Sequence, residues 1–214
     1  MTRGKGGAPP EKVLAFLGRE YPGARVLLEH RDPFELLVAT VLAAQCTDER
    51  VNRVTPGLFR SFPGPADFAC ASQERIEEAV RPTGFYKNKA KAVRELSAAI
   101  AGRHGGAVPG TMEELTALPG VGRKTASVVL GACFGVPALP VDTHVGRVSF
   151  RLGLTEARDP LKIERDLAEQ IPREQWWKFT TRLGWHGRTV CVARRPRCAA
   201  CGLEPICPRR GLAG

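Results

Sequence analysis

One stretch of this chain cannot be helix, although the residues on both sides of it are patterned as helices. Pro119-Gly120-Val121-Gly122 places one proline and two glycines in a run of four, which breaks a helical pattern. Before it, Thr111-Met112-Glu113-Glu114 reads as a capping box opening a short helix that reaches Leu118. After it, Ala126, Val129, Leu130 and Cys133 recur at helical spacing. The pattern predicts a helix–hairpin–helix. Hairpin glycines let backbone N–H groups approach a ligand closely, and the second helix starts there with the positive end of its dipole outward. A phosphate is held in that way without sequence being read.

Lys124 falls in the first turn of the second helix, near the hairpin but displaced from it. A further helix is predicted after Pro140-Val141, with Asp142 as its N-cap. The stretch therefore offers an amine and a carboxylate, each at a helix start, separated by one helix and a return loop. That is a candidate active-site pair.

Composition narrows the partners. The chain has 32 Lys and Arg against 22 Asp and Glu, a net charge of +10, which favours a polyanion. The excess is uneven. From Trp176 onward there are eight basic residues (Lys178, Arg182, Arg188, Arg194, Arg195, Arg197, Arg209, Arg210) and one acid, Glu204. The C-terminal part is the expected footprint on a phosphate backbone. No apolar run is long enough to span a bilayer, and Met1-Thr2-Arg3-Gly4-Lys5-Gly6-Gly7 lacks the apolar segment of a signal peptide. A soluble, cytoplasmic protein with no membrane partner is expected.

No segment alternates at period two, so the fold class is all-α. Residues 1–10 read as a disordered basic tail. Glu11–Arg19 forms a first helix, and Asp32-Pro33 starts a strongly apolar one through Phe34, Leu37, Val38, Val41 and Leu42. Asp48 is placed to cap the next helix, in which Pro56-Gly57 predicts a kink or break. Ser72–Val80 is a further helix. Phe85-Tyr86-Lys87-Asn88-Lys89-Ala90-Lys91 opens a long basic one whose lysines read mostly as a solvated face. Helices at about Thr143–Leu152, Leu161–Glu169 and Glu174–Leu183 lead to the last cysteines.

Cys191, Cys198, Cys201 and Cys207 follow the spacing C-x6-C-x2-C-x5-C. Four thiolates in one short, proline-punctuated segment can close round a metal centre. Zinc is a serious candidate from chemistry alone, but zinc sites usually show two close pairs, and here only Cys198 and Cys201 form one. Cys46, Cys70 and Cys133 lie outside the spacing and read as small buried hydrophobes.

Leu118–Ala126, together with Val141-Asp142-Thr143-His144, resembles the endonuclease III family of DNA glycosylases and AP lyases, in the helix–hairpin–helix superfamily. The likeness extends from about Pro33 to the last cysteine. It implies a six-helix domain over residues 32–135 and a second helical domain from residues 11–31 and 136–214, with the active site in the cleft between them. It assigns Lys124 as nucleophile and Asp142 as its partner. It implies DNA contacts from Leu118, Gly120, Val121, Gly122, Arg123 and His144, and from Arg194, Arg195 and Arg197 in the cysteine segment. The complete cysteine spacing is the one that family uses for a 4Fe-4S cluster, with a structural role. Gln45 caps a helix end on pattern alone; the resemblance instead has it reach into the gap left by an extruded nucleotide. Phe85 stands where the family often carries a leucine that wedges into the DNA stack, and Pro56 and Cys46 are further departures.

The implied activity is bifunctional, on duplex DNA carrying oxidised pyrimidines or abasic sites, by a monomer. Lys124 attacks the sugar, expels the base and forms a Schiff base, and β-elimination cuts the strand on the 3′ side. Asp142 stabilises the positive charge that develops on the sugar. Two other readings compete. Adenine and mismatch glycosylases of this fold generally lack the lysine, and the adenine enzymes use a glutamate before the Gln45 turn, where Val38–Ala44 has no carboxylate. A plain backbone-binding module needs neither Lys124 nor Asp142 in combination.

Overall fold

Helix starts are where local chemistry decides most, and most of those written in the sequence are used. In the computed structural model, which describes residues 6–212, no strand occurs among the described residues. The helices are α1 (Pro10–Glu20), α2 (Pro33–Leu42), α3 (Asp48–Ser61), α4 (Pro65–Cys70), α5 (Gln73–Val80) and α6 (Tyr86–Arg103). They continue with α7 (Met112–Thr116), α8 (Arg123–Cys133), α9 (Thr143–Leu152), α10 (Pro160–Gln170) and α11 (Trp176–Thr189). Asp32 accepts from Glu35 N at 2.9 Å, Thr111 from Glu114 N at 3.2 Å and Asp159 from Lys162 N at 3.0 Å. Each satisfies one of the amides that a helix start leaves without an internal partner.

Two expectations are corrected. Thr47, not Asp48, caps α3, accepting from Arg50 N at 3.3 Å; Asp48 stands in the first turn, where its charge still favours the dipole. The same helix runs unbroken through Pro56. Its buried face (Val51, Thr55, Leu58, Phe59) anchors both halves, and Pro56 lies on the exposed side, where the carbonyl it leaves without a donor reaches water.

The chain forms two compact units. Val26–Val136 carries α2–α8. Every residue of α2 from Phe34 to Leu42 is buried, as its apolar run requires, and the helix packs on α3, α6 and α8. Its one carboxylate, Glu35, is 3% exposed and is held by the backbone N–H and the guanidinium of Arg31. The other unit takes the described residues up to Arg25 and from Pro137 onward. Val13, Leu17, Val145, Val148, Leu152, Leu167, Phe179 and Leu183 share its core. There α11 lies so close to α9 that a Cβ on Gly187 would stand 2.9 Å from that of His144.

Met1–Lys5 of the predicted tail lie outside the described residues. Ala8, counted with that tail, is buried and donates to Leu152 O at 2.7 Å. The three outlying cysteines are not buried hydrophobes: Cys70 is exposed, and Cys46 and Cys133 are partly exposed. No helix is long and apolar enough to cross a membrane among the described residues.

Candidate active site and nucleic-acid interface

The hairpin is a turn pinned from below. Val121 N donates to Leu118 O at 3.1 Å, and both side chains point into the core, at 6% and 4% exposure. What these two can offer a ligand is therefore backbone, and the exposed surface is Gly120, Gly122 and Arg123. Gly120 has φ +74°, and a Cβ there would sit 2.8 Å from that of Ala92 on α6. Gly122 N-caps α8 and supplies no side-chain acceptor. The amides of that first turn are thus left to an external acceptor. Gly120→Ala is expected to destabilise the chain by about 1–3 kcal/mol and to weaken DNA binding, because strain and overlap coincide. Denaturant unfolding checks it; a variant as stable as the native chain contradicts it.

Lys124 is exposed in the first turn of α8. It belongs to the unit Val26–Val136, and Asp142 belongs to the other. Asp142 is the N-cap of α9, as predicted: Oδ1 accepts from His144 N at 2.9 Å and Val145 N at 2.8 Å. Oδ2 lies 3.7 Å from the guanidinium of Arg188, so both oxygens are held while the residue stays partly exposed.

Around it, Arg147 bolts α9 to α11. It donates to Gly187 O at 2.7 Å and Cys191 O at 3.2 Å, and contacts His144 Nδ1 at 3.2 Å. Burial pushes the His144 pKa down, and the Arg188 charge acts in the same sense. The ring is neutral at pH 7 and presents one N–H.

Backbone strain marks the other candidates. Among the described residues, non-glycine residues with positive φ are Gln45 (+53°), Phe85 (+47°), Arg195 (+53°) and Arg209 (+56°). The first three are residues expected to face DNA, and all three are exposed, Phe85 at 64%. A side chain held left-handed costs roughly 1–2 kcal/mol, which packing elsewhere must offset. Arg194 and Arg197 are exposed beside Arg195, in a loop closed by Arg197 N donating to Val190 O at 3.0 Å.

Cys191, Cys198, Cys201 and Cys207 line one small cavity of about 30 Å³, with Arg151, His186 and Leu203. Burial pushes the thiols of Cys201 and Cys207 up, and the charges of the other cysteines push the same way, as expected of sulfurs gathered together. Among the described residues, no three His, Cys, Asp or Glu side chains are grouped to hold a metal ion; the sulfurs surround a space. Arg151, 7% exposed, reaches into this segment. It donates to Cys191 Sγ at 3.4 Å, Val192 O at 2.7 Å and Ala193 O at 2.9 Å. His186 Nε2 lies 3.6 Å from Cys201 Sγ and Nδ1 lies 3.0 Å from the Tyr21 hydroxyl; burial lowers its pKa to about 4, so it is neutral.

Residues 38–173 match the model of the HhH-GPD superfamily of base excision DNA repair proteins. The chain is 50% identical to the endonuclease III of Synechocystis sp. over 92% of its length and 90% of the relative's. The chain belongs to the endonuclease III family. The Bacillus subtilis endonuclease III is 46% identical over 92% of this chain and 90% of that protein. A solved structure of a trapped endonuclease III–DNA covalent intermediate superposes with a TM-score of 0.90 at 44% identity, covering 93% of this chain and 94% of the other. A thermostable thymine-DNA glycosylase, 22% identical, shares the fold with a TM-score of 0.85 over 94% and 96% of the two chains. As a member of the endonuclease III family, this chain is a DNA glycosylase/AP lyase of base excision repair.

Sequence reasoning passes over Arg147 and Arg151, counts Arg188 only within a general basic footprint and places Lys89 among lysines read mostly as solvated. Arg147 and Arg151 stand four apart on α9, at the spacing of one helical face, but their acceptors lie about forty residues downstream and carry no local signal. Lys89 has one. It shares the apolar face of α6 with Val93, Leu96 and Ile100, and is buried where a solvated lysine is expected.

Proposed function

We propose that this endonuclease III removes oxidised pyrimidines from duplex DNA through a Schiff base on Lys124 and then cuts the strand by β-elimination. The observation that carries the reading is the exposed amine of Lys124 on the first turn of α8, directly after a hairpin whose exposed backbone suits a phosphate. The hairpin and the arginines of 194–197 grip the strand. Gln45 and Phe85 fill the space of the extruded nucleotide. The lone pair of the Lys124 amine attacks C1′, the C1′–N bond breaks, and the base leaves with the bonding electrons. Asp142, fixed by two amides and Arg188, holds a negative charge that stabilises the cationic sugar. Sugar opening gives the imine; loss of a C2′ proton then expels the 3′ phosphate. His144 offers its ring N–H to a phosphate. The solved endonuclease III–DNA complexes support duplex DNA as the partner.

The test is product analysis on a duplex with one oxidised thymine: base release together with an unsaturated 3′ aldehyde end supports both steps, and base release with an intact strand removes the second.

The four thiols around one cavity suit a 4Fe-4S cluster, held by Cys191, Cys198, Cys201 and Cys207. Bound there, the cluster supplies structural cross-linking of a segment that has little core of its own. Arg151 and His186 lend hydrogen bonds to the sulfurs. Arg151→Met is expected to weaken metal retention about 10–100-fold, read as iron released to a chelator. Unchanged release contradicts that role.

A further inference from the structure

Lys89 is a charged side chain where none is ordinarily stored, 5% exposed on the apolar face of α6. Its ammonium donates to the carbonyl of Thr83 at 2.7 Å, and its backbone N–H donates to the carbonyl of Phe85 at 3.1 Å. Those two carbonyls bound Gly84 and Phe85. The side chain thus holds the start of the segment that turns the chain left-handed, at φ +70° and +47°. The first backbone bond of α6, which does not depend on the side chain, closes the segment's other end, and the Phe85 ring stands in solvent.

The grip is anchored. Thr83 is 2% exposed and donates its hydroxyl to Val80 O at 2.8 Å. Thr83 ends the 3₁₀ turn Arg81–Thr83 that follows α5, so the cation sits at the carbonyl end of a helical run, the favourable end for a positive charge. Phe85, the N-cap residue of α6, offers the helix no side-chain cap. An ammonium has three donors, and the carbonyl uses one. Burial lowers the Lys89 pKa, and a charge on the Cys46 thiol acts in the opposite sense.

We propose that Lys89 is the positioning residue of the Phe85 wedge, holding the Thr83 carbonyl before Gly84–Phe85 so that the ring stays projected when a base is driven from the stack. This rests on the reading of Phe85 as a wedge. Extrusion pushes back on whatever fills the gap, because unstacking a base is uphill. A loop free to relax returns that load as a lower rate of base release. An abasic site has no base to extrude, so strand cleavage at a preformed one does not draw on that contact. A lysine that only caps α5 affects both reactions alike.

Single-turnover rates with excess enzyme test this on two duplexes, one with an oxidised thymine and one with an abasic site. Lys89→Met is expected to slow base release about ten-fold while abasic cleavage stays within about two-fold. Lys89→Arg, which keeps the cation, is expected to recover most of the loss. In a Phe85→Ala background, Lys89→Met is expected to add less than about two-fold, since the two residues act as one device. Equal slowing on both duplexes, unchanged base release or multiplicative effects in the double variant overturn the proposal. If Phe85→Ala alone leaves base release unchanged, the wedge reading itself fails, and the role of Lys89 with it. Should Lys89→Met not fold, Lys89→Gln, which keeps a donor for the Thr83 carbonyl, is read by the same split between duplexes.

Discussion

Lys124→Ala is expected to bind duplex DNA within a few-fold of the native chain and to lose strand cleavage by about 10⁴-fold or more. Affinity is expected to survive because, in the proposed reading, the hairpin holds phosphate through backbone amides and a helix dipole and the arginines of the cysteine segment add charge. Removing one exposed amine subtracts one cation from a chain of net charge +10. Cleavage is expected to be lost, because under the proposed mechanism no other group supplies the imine nitrogen that activates the C2′ proton. Filter binding and strand-cleavage rates on the same duplex separate the two effects. A parallel loss of both, or cleavage within ten-fold of native, contradicts the assignment.

The second large effect concerns Asp142, which caps α9 and is proposed to face the cationic sugar, two roles that different substitutions separate. Asparagine caps a helix about as well as aspartate, so Asp142→Asn is expected to leave stability within about 0.5 kcal/mol. It removes the charge opposite the developing cation, and base release is expected to fall about 10²–10³-fold. Asp142→Ala loses the charge and both amide bonds at His144 and Val145, adding a destabilisation of about 1–2 kcal/mol. Unfolding curves and base-release rates for the two variants distinguish them. If the asparagine variant keeps near-native base release, Asp142 is a cap and nothing more.

How far the sequence can be read follows from the range of the interactions involved. Caps at Asp32, Thr111, Asp142 and Asp159 are satisfied within two or three residues, and the first three of these starts are legible from residue types and spacing alone. The hairpin is legible because glycine and proline act locally, and the gathering of the four cysteines because they lie close together in one short segment. Pro56 misleads, since buried neighbours on its helix outweigh a single missing amide. Asp48 misleads because Thr47, one residue earlier, offers an equally good acceptor. Arg147 and Arg151 stay invisible because the carbonyls they hold belong to another part of the chain. The left-handed backbone at Gln45, Phe85 and Arg195 has no signature in residues that normally avoid it, yet it marks the segments expected to meet DNA. Lys89 is open to inference. Its spacing to Val93, Leu96 and Ile100 puts it on the apolar stripe, and the abundance of lysines around it masks that.

Borohydride trapping bears most directly on the central claim, run on a duplex with one oxidised thymine and comparing the native chain with Lys124→Ala. The account predicts a covalent protein–DNA adduct with the native chain and none with the variant. Base loss from the native chain with no adduct contradicts it, and makes water the nucleophile.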